Sequence, residues 1–365
     1  MLIIKLSLNL HKERSSCKVL ITTARCAEYS WKFNNLPDEL IISIFKYLSI
    51  DDLLTCKCVC VKWRRLSLDP MLWRRLVIVY SGKPGQSEVN EKSLRIIKLH
   101  PNLVYCLKIQ YEYNYSIIQS MMAKCKNIIS FEVVVCRIKE KFKDDIKKWP
   151  HLKKLNLKNT MPFEAITWTI SFDHFKELKY IALAEFGLNS SNCETLLDCT
   201  CLTHINIEKI KDLELDFIKK LIDMKQSKLE TLHIYGGSSV DDSCLQDLTK
   251  CPKLKDLAIL RCENLTNRGL IHLANLNHIE RLQIWNNNNF TEIMLLKTLQ
   301  SPNLITLKSL SMSRIKHISP AAIDTISEHY KNLKFLALYQ CPRVINSIYG
   351  KQLKAKFRNI DVVLY

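Results

Sequence analysis

The chain carries 15 cysteines and 10 histidines, the residue types that most often hold metals or act as nucleophiles, so their spacing decides what chemistry is on offer. Cys56, Cys58 and Cys60 alternate. If one helix carries them, 56 and 60 share a face and 58 does not, so a single tetrahedral site cannot readily use all three. His151, His204, His233, His272, His278, His317 and His329 form no metal-binding pairs with cysteine, and none sits in a His-Glu-x-x-His helix. Gly236-Gly237 reads as a turn, and no glycine-rich phosphate loop occurs. The expectation is a chain with no metal, no cofactor and no catalytic group, whose activity is binding.

Length and composition bound what does the binding. The 365 residues suit two or three ordinary domains or one long solenoid. With 47% hydrophobic and 25% charged residues, and only 7 Gly and 10 Pro, the sequence reads as ordered. The cysteines are scattered and no signal peptide precedes them, so they read as reduced thiols in an intracellular protein, cytoplasmic or nuclear. MLIIKLSLNL, at residues 1–10, is apolar but short and is followed by His11, Lys12, Glu13 and Arg14, so no membrane partner is expected. A net charge of +18 admits acidic or phosphorylated protein and nucleic acid as partners, but the cations are spread along the chain, which makes nucleic acid the weaker expectation.

Stepping from residue types to elements, Leu36 to Leu76 is a dense helical module. Pro37 suits a first helical position, and Asp38 and Glu39 place negative charge at that helix's positive end. Leu40, Ile41, Ile44, Phe45 and Leu48 then make a stripe wider than one helix buries alone. Ser49 and Asp52 suit a capping box for a second helix with Leu53 and Leu54. A third helix is expected to carry Val59, Trp63 and Leu66 up to Asp69-Pro70, and Trp73 and Leu76 open a further turn. At this size the surplus apolar residues require a partner.

Leu36-Pro37, Ile44-Phe45, Leu48, Asp52-Leu53, Val59-Cys60, Trp63-Arg64, Asp69-Pro70 and Trp73 together resemble the F-box motif, nearly position for position. The resemblance implies a three-helix module that docks on a Skp-type adaptor, with a cullin and a RING subunit bound indirectly. It also implies adaptor-binding roles, by contact or by shaping the module, for Leu36, Pro37, Leu40, Ile41, Ile44, Phe45, Leu48, Leu53, Leu54 and Val59.

Beyond Ser81–Asn90, a stretch of turn formers, an apolar–x–x–apolar–x–apolar unit recurs. It appears as Val104, Leu107, Ile109 and again through Leu333, Leu336, Leu338. Between Ile128, Leu152, Leu178, Leu202, Leu229, Leu254 and Ile279 the steps are 24, 26, 24, 27, 25 and 25 residues. That period marks leucine-rich repeats, each a strand, a turn and a closing helix. Near Leu307 the frame is ambiguous, because Leu304 keeps the step but puts Ser309 in the core. Cys251 to Leu276 resembles the cysteine-containing repeats found behind F-boxes, and Cys125, Cys136, Cys199, Cys251, Cys262 and Cys341 read as small buried residues of the coil. Ile360, Val362 and Leu364 alternate, as a last strand would.

The expected fold is therefore α/β: an N-terminal three-helix F-box followed by a curved solenoid with parallel strands on the concave face and helices outside. Residues 1–34 form an unassigned extension, in which Val19 to Thr22 suit a short strand. The F-box spans 35–79, a linker 80–91, and about ten repeats 92–365. The resemblance implies a non-catalytic substrate-recognition subunit of a Skp-cullin-F-box ubiquitin ligase that directs a protein substrate to proteasomal degradation. The alternatives are a leucine-rich-repeat interaction protein outside any ligase and a basic nucleic-acid-associated protein. Strand residues flanking the inward leucines face the partner, and Tyr180, His233, Tyr235, Arg281, Trp285, Phe335 and Tyr339 are the expected substrate-binding set, because aromatics and arginine are the usual anchor types. Lys108, Lys154, Lys158 and Arg281 on the same face suggest an acidic or phosphorylated substrate, against which Glu132, Glu208 and Asp256 must be weighed.

Overall fold

The computed structural model describes residues 35–158, 161–162, 169–184, 188–209, 216–236, 240–285, 289–314, 318–345, 357 and 360–364. The expectations for Val19 to Thr22, Gly237 and His317 lie outside them.

Four short helices open the described chain: α1 (Asp38–Phe45), α2 (Ile50–Cys56), α3 (Val61–Ser67) and α4 (Pro70–Trp73). Pro37 sits at the N-cap position of α1, one residue ahead of the first helical position expected for it and with no side-chain cap hydrogen bond, because the helix begins at Asp38, and Asp38 and Glu39 lie in its first turn. Ser49 and Asp52 make the reciprocal capping box of α2. The cap of α3 is Cys60, whose sulfur accepts the Trp63 backbone N–H at 3.4 Å. Val59 therefore precedes that helix instead of riding on it, and Cys56 and Cys60 belong to different elements, so the shared-helix argument for them does not apply. Asp69 caps α4 ahead of Pro70. Leu76 lies beyond α4, outside any helix. Ile41, Phe45, Leu53, Leu66, Leu72 and Trp73 pack together with at most 4% exposure. The Trp63 ring meets Phe45 edge-on at 5.4 Å.

The linker expected at 80–91 contracts to a turn at residues 82–86. Val77–Ser81 is a strand, β1, parallel to β2 (Cys106–Gln110), and Ser87–Leu99 is a helix, α5. Ile78 and Tyr80 point inward, an alternation hidden in the sequence because the turn formers begin at Ser81. The solenoid sheet thus starts at Val77, directly after the four-helix module, and one continuous apolar cluster runs through both. Polar contacts tie the joint as well. Lys57 Nζ lies 2.7 Å from His100 Nε2, the Cys106 thiol donates to the Arg74 carbonyl at 3.3 Å, and Lys92 pairs with Asp51. Gly82 opens the turn, its N–H donating to the Gln110 carbonyl, and a Cβ there would stand 2.2 Å from the Tyr111 carbonyl oxygen. Gly82→Ala should cost about 2 kcal/mol, seen as a lower urea midpoint at unchanged slope.

The remaining strands are β3 (Ser130–Val134), β4 (Arg137–Ile138), β5 (Lys154–Asn156), β6 (Met161–Pro162), β7 (Tyr180–Ala184), β8 (His204–Glu208), β9 (Thr231–Tyr235), β10 (Asp256–Leu260), β11 (Arg281–Trp285), β12 (Ser309–Ser313), β13 (Phe335–Tyr339) and β14 (Asp361–Leu364). All except the β4–β6 pair form one parallel sheet in chain order. The chain returns through α6 (Tyr115–Lys124), α7 (Phe142–Asp145), α8 (Cys193–Leu197), α9 (Phe217–Lys225), α10 (Asp242–Leu248), α11 (Asn267–Leu273), α12 (Glu292–Leu299), α13 (Pro320–His329) and α14 (Pro342–Ile345). This is the leucine-rich solenoid that the repeat period predicts. The second and fourth residues of the strands stack as two inward ladders, such as Leu232–Leu257–Leu282–Leu310 and Ile234–Ile259–Ile284–Met312.

Register settles the ambiguous frame. Ser309 pairs with Arg281 on the outward row, while Leu307, Leu310 and Met312 are fully buried. The step from Ile279 to Leu307 is 28 residues because a 3-10 turn, Pro302–Thr306, is inserted, and Leu304 is buried within that turn. At the far end Val362 and Leu364 pair with Leu336 and Leu338, so the alternating tail is the last strand. The repeat cysteines are buried, and burial pushes the thiols of Cys125, Cys136, Cys199, Cys251 and Cys262 up, Cys262 and Cys125 to about 12. The Cys341 thiol donates to the Met312 and Tyr339 carbonyls, so these residues fill space and satisfy backbone.

Candidate docking surfaces

The small four-helix module cannot bury all its apolar side chains. Ile41, Phe45 and Leu53 are fully buried, so they shape the module from within. Leu36, Ile44, Leu48 and Leu54 are half-buried, and Pro37, Leu40 and Val59 are exposed. The sequence reading missed Tyr47, Val61 and Met71, which are also exposed, Tyr47 at 88% and Val61 at 81%. Their signal was present but weak: each flanks the motif positions and falls off the expected helical stripe. Large apolar side chains are thus unusually exposed on this small module, which makes it a candidate docking surface. Beside it, Asp38 accepts from Arg65 at 2.5 Å and lies 3.3 Å from Lys62, pinning α1 to α3.

The concave face is built from the first, third and fifth residues of each strand. His233, Tyr235, Arg281 and Trp285 come together on β9 and β11, across β10. Asp256 Oδ1 lies 2.9 Å from His233 Nε2, and Arg281 Nε donates to Asp256 Oδ2 at 2.7 Å. Burial pushes the Asp256 carboxyl up, but the hydrogen bonds and charges of His233 and Arg281 outweigh that and hold it below its ordinary 3.8. A carboxyl so lowered stabilises the fold above its unfolded pKa, and the contribution disappears as pH falls through the folded one. Asp256→Asn should therefore be less stable than the parent at neutral pH, and the gap should narrow on acidification into the carboxylate range, as read from paired thermal melts.

Phe335 and Tyr339 stand on β13, separated from Trp285 by Ser309, Ser311 and Ser313 of β12. Tyr180 is not part of this group. It lies on β7 with Lys154 5.0 Å over its ring and His204 alongside at 6.1 Å. The aromatics carry partial cover of their own: Trp285 Nε1 donates to Ser311 Oγ at 3.0 Å, and Tyr235 sits between Lys209 and Arg261, at 5.7 and 5.5 Å. On the same face, the Asn206 amide oxygen is buried and has no hydrogen-bond partner among the described residues.

Charge on the face is balanced row by row. Lys154 pairs with Glu132 at 2.5 Å, Lys158 with Glu208, and Arg281 with Asp256. Lys154, Lys158 and Arg281 therefore do not amount to a basic surface, because each pairs with a carboxylate one or more strands away, whereas Lys108 on β2 has no carboxylate pair of its own among the described residues. What the sequence did not reveal is a second ring of side chains just past the strand ends. Tyr111, Val135, Lys209, Arg261, Arg314 and Gln340 have φ of 50–55°, with Gly236 at 67°. The N–H of Arg261, for example, donates to the Trp285 carbonyl that ends the next strand, which fixes the side chain on the rim of the face. The signal was the position itself, one residue past each fifth strand position.

Comparisons with known proteins agree with both halves. Residues 33–79 match the F-box-like family. Bovine F-box/LRR-repeat protein 4 is 24% identical over 273 residues, covering 70% of this chain and 42% of that protein. Mouse F-box/LRR-repeat protein 5 is 37% identical over 59 residues, 16% of this chain and 9% of the relative. The chain thus spans less than half the length of these relatives. Among solved structures, a chain of the yeast Rad7 and Elc1 complex superposes with a TM-score of 0.52 at 15% identity, covering 91% of this chain and 95% of that one, a likeness of fold.

Proposed function

With an F-box-like domain at residues 33–79 and homology to F-box/LRR-repeat proteins as the premise, we propose that the chain is the substrate-recognition subunit of a Skp-cullin-F-box ubiquitin ligase, acting in the cytoplasm or nucleus. The F-box captures the Skp-type adaptor, through which cullin and RING subunit are recruited. The concave sheet captures a protein substrate for ubiquitination and degradation. The observation that carries the reading is the direct joint: an apolar patch that needs a partner is fused, through one continuous core and no linker, to a sheet bearing a second, unlike patch.

The fused joint suits a scaffold that works by placement. A substrate held on the sheet and a ubiquitin-conjugating enzyme held through the adaptor would face each other at a fixed separation, which raises the effective concentration of the substrate lysine. No group of the chain is required to react. The half-buried aromatics of β9, β11 and β13 support the concave face as the substrate surface, since a partner would cover them. The yeast structural neighbour was solved as a two-protein complex, in keeping with an adaptor-bound chain. Affinity capture of the full chain from cells with the proteasome blocked should enrich ubiquitinated partners together with adaptor and cullin. Recovery of partners unchanged by the inhibitor, without cullin, would point to a binding protein outside any ligase.

A further inference from the structure

Past the paired cations of the strand rows, the rim beyond β10 to β13 carries arginines that no carboxylate matches among the described residues. Arg261 is exposed, has no carboxylate partner among the described residues, and sits over the Tyr235 ring. Arg314 is exposed, and its Nε donates to the neutral Gln340 Oε1 at 2.5 Å. Both are held in the left-handed conformation, φ 54° and 52°, with backbone N–H groups tied to the ends of β11 and β13. Their positions are fixed by the repeat and not by a charge partner. Between and beside them stand Trp285 and Tyr339, the last residues of those strands.

We infer that this rim reads an acidic segment of the substrate, its carboxylate or phosphate groups meeting Arg261 and Arg314 while a neighbouring apolar side chain rests on Tyr235 or Trp285. The inference rests on the concave-face reading and deepens it by naming the substrate's chemistry. An arginine already over an aromatic ring keeps its guanidinium edge for an anion, and a bound anion completes a charge-assisted hydrogen bond that neutral Gln340 supplies only weakly. Arg261 and Arg314 follow β10 and β12, two strand spacings or about 10 Å apart, which an extended chain spans in about three residues. The selected feature is therefore a pair of anionic groups at roughly that separation. Lys154, Lys158 and Arg281 are excluded from the role because Glu132, Glu208 and Asp256 already neutralise them.

The test uses the full chain and fluorescein-labelled peptide pools in which two positions three residues apart are fixed as Glu, phosphoserine, Gln or Lys, flanked by mixed apolar residues. The Glu or phosphoserine pools should bind best and lose about tenfold in affinity between roughly 50 and 300 mM salt, and the better of the two identifies the anion. Arg261→Glu with Arg314→Glu should reduce that binding at least about tenfold. Lys219→Glu with Lys297→Glu, on exposed helix positions of the opposite face, should leave it unchanged. Melting curves and adaptor co-purification of both variants establish that fold and F-box are intact. Equal binding of the Gln pool, or equal loss in the Lys219/Lys297 variant, overturns the inference and leaves the concave-face reading standing. Binding of no pool at all overturns both. Retention of single-stranded nucleic acid in place of peptide, lost in the Arg261/Arg314 variant, would assign the rim to nucleic acid and overturn it too.

Discussion

Leu40→Asp with Val59→Asp should abolish capture of the Skp-type adaptor while leaving the melting temperature of the chain within a degree or so of the parent. Both side chains are more than half exposed, so the substitutions remove no internal contact, and surface changes of this kind usually alter stability by less than about 0.5 kcal/mol. An apolar anchor at a docked interface is another matter. Truncating one commonly costs more than about 2 kcal/mol, and burying an unpaired carboxylate in its place costs more. Leu36→Ala with Pro37→Ala should act in the same direction, with the complication that Pro37 also caps α1 and that the Leu36 carbonyl accepts from Lys62 at 2.8 Å. Phe45→Ala is the contrasting control: a fully buried ring lost from the small core should cost about 3 kcal/mol or more and unfold the module. Adaptor pull-down beside a thermal melt separates the two outcomes.

The second large effect belongs to the sheet. Tyr235→Ala with Trp285→Ala should eliminate substrate capture, because aromatic anchors carry most of an interface's binding energy, and should leave melting little changed, because neither ring enters the apolar core. In the tail, Asp361 to Leu364 extends the sheet beyond β13, away from β9 and β11. If stability falls and capture persists, the rings are packing against the chain itself and the substrate sits elsewhere.

How much of this was legible in the sequence depends on whether one residue could signal its own environment. The inward ladders were, since Leu257, Ile259 and their counterparts repeat at a period only a solenoid produces, and so was the capping box at Ser49 and Asp52. The joint was not. Val77 to Ser81 is too short to declare itself a strand beside a run of turn formers, and only pairing with Cys106 to Gln110 makes it one. Leu40 and Ile41 are neighbours of similar type, yet one is 52% exposed and the other fully buried, a difference set by how α3 crosses α1. On the concave face, side-chain identity showed which residues point outward, but not that Asp256 would bind both His233 and Arg281, nor that three of the strand cations would be neutralised. The rim cations were invisible for a simpler reason: Arg261 and Arg314 lie outside the strand pattern and become part of the face only through a left-handed turn.

The central claim is that one chain couples adaptor to substrate. Its most direct measurement is co-expression of the full chain with a Skp-type adaptor, followed by size-exclusion chromatography and a blot for neddylated cullin. The account predicts a one-to-one complex that binds cullin and is lost with Leu40→Asp and Val59→Asp. A chain that elutes alone, or whose adaptor is retained equally by that variant, would contradict it.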